Sequence, residues 1–167
     1  MIILGIDPGT ATTGWGALRC KDRKMECLDY GVIKTLASTP AAQRLKEING
    51  ELNKLIKKYQ PQVLAVEDIY FFKNLKTVIP VSQAKGVILF TAAKKGIPVY
   101  EFTPLQVKMA ITGYGRADKK QVQKMLKILL CFDQIPRPDD AADALAVAIC
   151  CALKMVRQAH HPELVEG

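Results

Sequence analysis

Met1-Ile2-Ile3-Leu4-Gly5-Ile6-Asp7-Pro8-Gly9-Thr10 opens the chain. A short apolar run that meets an acid and then a Pro-Gly turn reads as a buried central strand ending at a carboxylate. Working outward, residues 13–18 and 27–35 are β-rich and are separated by the polar turn Lys21-Asp22-Arg23-Lys24. Three consecutive strands with tight links predict an antiparallel meander. Residues 41–59 then place Leu45, Ile48, Leu52, Leu55 and Ile56 at helical spacing, and Val63-Leu64-Ala65-Val66 is a fourth, buried strand running into Glu67-Asp68. An apolar helix is expected over residues 80–95, closed by Gly96, followed by a fifth strand over 97–102 in which Pro98 argues for an edge. Further helices are expected over 104–111, from an Asp118 cap to about residue 130, and over 140–158 after a linker at 134–138. The result is an α/β domain with a five-stranded mixed sheet flanked by helices, spanning residues 1–158, with a frayed tail at 159–167.

A chain of 167 residues and 18.4 kDa, 49% apolar and 24% charged, suits one domain with a sizeable core. The longest uncharged run, residues 8–18, is too short to span a bilayer. The N-terminus lacks the positive segment of a signal peptide. Cys20, Cys27, Cys131, Cys150 and Cys151 form an odd set without C-x-x-C spacing, so reduced thiols in a cytoplasm are expected, with the Cys150-Cys151 pair in the core. His160 and His161 fall in the tail and are expected in solvent.

The net charge of +8 is unevenly placed. Residues 69–127 carry 11 Lys/Arg against only Glu101 and Asp118, whereas the rest of the chain is close to neutral. Such a footprint points to a polyanion, nucleic acid before membrane, against the plainer reading of a lysine-rich solvated surface.

The carboxylates sharpen this. Asp7 and Glu67 close two strands at the ends that line the functional crevice of open α/β sheets. Alone, each reads more readily as a turn or cap residue. In Pro138-Asp139-Asp140-Ala141-Ala142-Asp143-Ala144-Leu145-Ala146, Asp140 and Asp143 share one helical face, among small residues that let a helix approach a sheet closely. Asp139 is assigned to the cap, with Asp140 and Asp143 pointing inward; the competing reading leaves both acids in water at the helix N-terminus. Four such carboxylates can hold two Mg²⁺ ions, with Mn²⁺ as the alternative, for phosphodiester hydrolysis.

Gly5-Ile6-Asp7-Pro8-Gly9-Thr10, Val66-Glu67-Asp68-Ile69-Tyr70, Gln106-Val107-Lys108 and Asp140-Ala141-Ala142-Asp143-Ala144-Leu145-Ala146 follow one another in an order and at intervals that resemble the RuvC family of bacterial Holliday-junction resolvases, over residues 1–158. The resemblance implies an RNase H-like fold and a homodimer needing Mg²⁺ or Mn²⁺. It also implies paired symmetric nicks at four-way DNA junctions, in recombination and repair, alongside a branch-migration motor. By position it makes Asp7, Glu67, Asp140 and Asp143 the metal-binding catalytic acids, with Asp140 in place of the His of some members. Lys108 and Lys119 match basic residues near the scissile phosphate, and Tyr70 matches an aromatic that stacks at the junction. Trp15 stands where a smaller aromatic is usual and receives no role.

The basic segment supplies Lys73, Lys76, Lys85, Lys108, Arg116, Lys119, Lys120, Lys124 and Lys127, interleaved with Tyr70, Phe71, Phe72 and Tyr114. Lysines can neutralise phosphates and exposed rings can stack on unpaired bases. Tyr70, Lys73, Lys108, Arg116, Lys119 and Lys120 are the expected DNA contacts. Three rival readings share parts of this pattern. An actin-like ATPase or sugar kinase would use the same Gly-Ile-Asp-Pro-Gly-Thr hairpin, but needs a second lobe. A non-catalytic DNA-binding module leaves Asp140 and Asp143 unexplained, and an RNase H-like nuclease of RNA–DNA hybrids would differ only in substrate.

Overall fold

The computed structural model describes residues 1–22, 24–68 and 75–160. Strands β1 (Ile2–Asp7), β2 (Thr12–Lys21) and β3 (Lys24–Lys34) form the antiparallel meander, and β4 (Val63–Glu67) and β5 (Val99–Phe102) join parallel to β1, giving the order β3-β2-β1-β4-β5. The helices are α1 (Ala41–Tyr59), α2 (Leu75–Lys94), α3 (Pro104–Thr112), α4 (Lys119–Leu129) and α5 (Asp139–His160). As Pro98 suggested, β5 is an edge strand.

Strand alternation divides the core in two. Leu4, Ile6, Ala17, Leu64 and Val66 point to one face, where they meet Ile48, Leu52 and Ile56 of α1 and Ala84, Ile88 and Ala92 of α2. Ile3, Leu18, Val63 and Ala65 point to the other, where they meet α5 and its flanking helices α3 and α4. Asp7 follows Ile3 and Gly5 on the α5 side, and Glu67 follows Val63 and Ala65. Because Ile6 is paired with Val66 across the β1–β4 ladder, the two acids end neighbouring strands on the same face.

Strand β2 runs on to Lys21 and β3 already starts at Lys24, both longer than expected at the turn between them, and three further elements differ from expectation. Helix α2 begins at Leu75 and carries Pro80 inside its second turn. So near a helix start, a proline removes a single backbone bond to the preceding turn, so it need not mark the first residue. Helix α5 begins at Asp139, which is therefore its first residue and not its cap, and continues to His160. Strand β5 begins at Val99, two residues after the expected start. Asp118 does cap α4, accepting a bond from the Gln121 amide while Gln121 accepts one from the Asp118 amide. The five cysteines are free, and Cys150 and Cys151 are buried. Among the described residues no helix is long and apolar enough to cross a membrane.

Helix α5 lies unusually close to the sheet, for reasons on both sides of the contact. Its inner face is small: Ala141, Ala142, Ala144, Ala146, Ala148 and Ala152 are at most 1% exposed. The sheet answers with glycines. A Cβ on Gly5 would stand 2.2 Å from the Ala144 carbonyl oxygen, and one on Gly14, the partner of Asp7 across the β1–β2 ladder, 2.0 Å from that of Asp140. At Gly16 a Cβ would strike the Leu145 side chain. The first turns of α5, which carry Asp140 and Asp143, are thus seated on bare backbone.

Candidate active site

Asp7 and Glu67, half-buried at the ends of β1 and β4, face the opening turns of α5. Burial, then the charges of Glu67 and Asp143, push the Asp7 carboxyl up to about 9. In this state Asp7 holds a proton and donates a hydrogen bond to Glu67. Burial also raises Glu67, a rise opposed by that bond and by the nearby charges of Lys119 and Lys108. Asp143 is raised by burial, against the pull of Lys119, and Asp140 adds its charge to the field felt by both Asp7 and Asp143. The four acids therefore share one electrostatic neighbourhood although they come from both ends of the chain.

Lys119, the first residue of α4, leans over this cluster. Its ammonium is 2.9 Å from Asp143 and 3.4 Å from Asp139. Asp139 is held in addition by Arg137 and by the Gln123 side-chain amide at 3.0 Å. The outermost acid of the helix thus anchors α4 to α5, a role its expected place as a cap did not suggest. Glu67, Lys108, Lys119 and Asp143 line a cleft of about 240 Å³ floored by Val107, Val122 and Ala146. Arg116, three residues before Lys119, and Lys120, one after it, are exposed, as are Lys124 and Lys127 farther along α4.

Lys85 does not belong to that surface. It is 9% exposed on α2 and its ammonium is engaged by Asp68 and Glu101. Sequence position counted it among the phosphate-facing lysines, but the sheet turns it inward. Tyr70, Phe71, Phe72, Lys73 and His161 lie outside the described residues, as do the side chains of Lys76 and His160. Trp15 packs on Tyr59 with ring centroids 5.9 Å apart, beside Gly31.

The donor set bears on what the cluster can hold. Carboxylate oxygens are the ligands of hard divalent cations, and like charges this crowded need positive charge nearby. Here that charge comes from the Asp7 proton and the Lys119 ammonium, and among the described residues no three His, Cys, Asp or Glu side chains are already gathered around one point. The residues fit a divalent ion in chemistry and charge.

The sequence model for crossover junction endodeoxyribonuclease RuvC matches residues 3–151. The chain belongs to the RuvC family. Among RuvC relatives, the crossover junction endodeoxyribonuclease RuvC of Syntrophomonas wolfei is 56% identical over 150 residues, which cover 90% of this chain and 87% of that one. The solved RuvC of Thermus thermophilus superposes with a TM-score of 0.88 at 33% identity, covering 94% of this chain and 96% of that one. The T. thermophilus RuvC in complex with Holliday junction substrate gives 0.87 at 34% identity, covering 93% and 94%. RuvC membership and these superpositions bear out the RNase H-like α/β sheet, and a nuclease family sets aside the actin-like ATPase.

Proposed function

We propose that the chain is an endodeoxyribonuclease that resolves four-way DNA junctions in the cytoplasm by paired symmetric nicks, using two Mg²⁺ ions, or Mn²⁺, at each active site. The observation that carries this reading is the convergence of Asp7, Glu67, Asp140 and Asp143 beside a basic rim, in a chain of the RuvC family. Those four acids would hold the ions, which when bound activate water and stabilise the leaving oxygen. The protein's share is placement. Asp7 and Glu67 are fixed by the central strands, and Asp140 and Asp143 by a helix that cannot retreat from the sheet. Lys108 and Lys119 hold the scissile phosphate at the cleft, and Arg116 and Lys120 take flanking phosphates. Tyr70 and Lys73 are assigned to the junction by resemblance alone. The nuclease domain is assigned to residues 1–158 and the C-terminal tail to 159–167, with α5 running two residues past that boundary to His160.

The test is incubation of the purified protein with a synthetic four-way junction and Mg²⁺. On denaturing gels, nicks should appear at symmetric positions in two strands of like polarity, with 5′-phosphate ends, while duplex and RNA–DNA hybrid controls stay intact. Cleavage of the hybrid in preference to the junction would transfer the site to the rival substrate.

Paired nicks call for two sites, and a homodimer supplies them; a branch-migration motor is the further expected partner. Helix α2 offers a face for self-association. Ile79 and Phe90 are 67% and 64% exposed, three helical turns apart on one stripe, and Gly86 between them has open space above it. Phe90→Glu should convert a species of twice 18.4 kDa into a monomer in sedimentation equilibrium and uncouple the two nicks. A parent protein that already sediments as a monomer excludes this arrangement.

A further inference from the structure

Lys85 is the one described member of the basic stretch that is buried beneath acids and faces away from the active-site cleft. Its side chain is 11% exposed, under Asp68 and Glu101, each 45% exposed, and its ammonium lies 2.5 Å from Asp68 and also contacts Glu101. These two acids are not arbitrary neighbours. Asp68 directly follows Glu67, and its amide donates to the Phe102 carbonyl at 2.8 Å, adding one more rung beyond the β4–β5 ladder. Glu101 is paired with Val66 in that ladder, and Phe102 with Glu67. Successive strand residues point to opposite faces, so Glu67 projects toward α5 while Asp68 and Glu101 project toward α2.

We infer that Lys85 is a positioning residue for Glu67: from the far side of the sheet, its ammonium clamps together the two strand ends that present the Glu67 carboxylate. The inference rests on the assignment of Glu67 to the nuclease site. Without the ammonium, the bridge that joins Asp68 to Glu101 across the ends of β4 and β5 is lost. Glu67 would then lose the fixed placement that metal ligation and in-line chemistry require. Lys85 comes from α2, the helix that also bears Ile79 and Phe90, so the clamp ties the proposed self-association helix to the active-site strand.

The test compares Lys85→Met, Lys85→Arg and Asp68→Asn with the parent, each checked for folding by circular dichroism. Single-turnover junction cleavage at saturating protein should fall tenfold or more in Lys85→Met, with a higher Mg²⁺ concentration at half-maximal rate. Junction Kd measured in chelator should stay within twofold, and Mn²⁺ binding without DNA, followed by electron paramagnetic resonance, should weaken severalfold. Lys85→Arg keeps both tethers and should stay within threefold of the parent. Asp68→Asn loosens the tether beside Glu67 while leaving the Glu101 pair, and should show the same pattern at smaller size. It decides the matter if Lys85→Met does not fold. A rate and Mn²⁺ affinity unchanged in the folded variants overturns the inference. So does a Kd that rises as far as the rate falls with a shallower salt dependence, the mark of a phosphate contact. Glu67→Gln serves as the reference: if it cleaves at the parental rate, the assignment of Glu67 has failed, and not the clamp alone.

Discussion

Asp7→Asn is expected to cut junction cleavage by about a thousandfold or more, roughly 4 kcal/mol of barrier at about 1.36 kcal/mol per tenfold, while leaving junction binding intact. The substitution keeps the shape and removes one anionic ligand from the most buried position of the cluster. Binding should survive because the proposed phosphate contacts, Lys108, Arg116, Lys119 and Lys120, are untouched, and a carboxyl that already holds a proton gives up no charge on becoming an amide. Stability gives a second readout. With chelator present, Asp7 already carries a proton, its carboxyl being pushed up to about 9, so the asparagine closely mimics the group it replaces and Tm should barely move. Adding Mg²⁺ should raise the Tm of the parent by mass action and that of the variant much less. Undiminished nicking by Asp7→Asn on a denaturing gel sinks the assignment of the four acids.

Gly14→Ala should be the most damaging single-methyl change in the molecule. The added carbon would lie 2.0 Å from the Asp140 carbonyl oxygen and 2.4 Å from its carbon. These are backbone atoms, so no rotamer change relieves the clash; either α5 lifts or β2 bends. Overpacking of this kind costs about 1–3 kcal/mol and can cost more, and for a chain of this size each kcal/mol lowers Tm by about 2–4 °C. A displacement of about 1 Å at Asp140 and Asp143 also costs about a hundredfold in rate, so the folded fraction should still be nearly inactive. Gly50→Ala is the control. Its Cβ meets nothing within 4 Å in the middle of α1, and it should gain about 0.5–1 kcal/mol from reduced chain entropy. Differential scanning calorimetry on the two variants checks both signs, and equal Tm values would refute the close seating of α5.

The meander, the buried fourth strand and the amphipathic α1 were legible because each follows a single period, 2 or 3.6, and ends at a recognisable turn. The strand-end acids were legible for a related reason: a charge directly after apolar alternation leaves few places for that side chain to go. What escaped was whatever depended on two distant segments meeting. Lys85 looks like any lysine of a basic stretch until the β4–β5 ladder places Asp68 and Glu101 above it. Asp139 reads as a cap until α4 brings Lys119 and Gln123 to it. The glycines of the α5 seat were partly within reach. Gly14 and Gly16 alternate on the side of β2 that faces an alanine-rich helix, and period-2 glycine opposite small residues marks a close approach of backbones. The direction of a proline was the weakest cue, since Pro80 can sit in the first or the second turn with equal ease.

Helix α5, flanked by α3 and α4, both packs across one face of the sheet and brings Asp140 and Asp143 into the field of Asp7 and Glu67. Among the described elements it is the last along the chain, more than a hundred positions after Asp7. A nascent chain therefore carries its lysine-rich segment before Asp140 and Asp143 exist, and with Ile3, Leu18 and Val63 still uncovered it has no settled sheet to hold Asp7 and Glu67. The acids of β1 and β4 stay without their helical partners until α5 has been made. For a junction endonuclease, the order of the elements along the chain thus ties completion of the four-acid cluster to the seating of one alanine-rich helix.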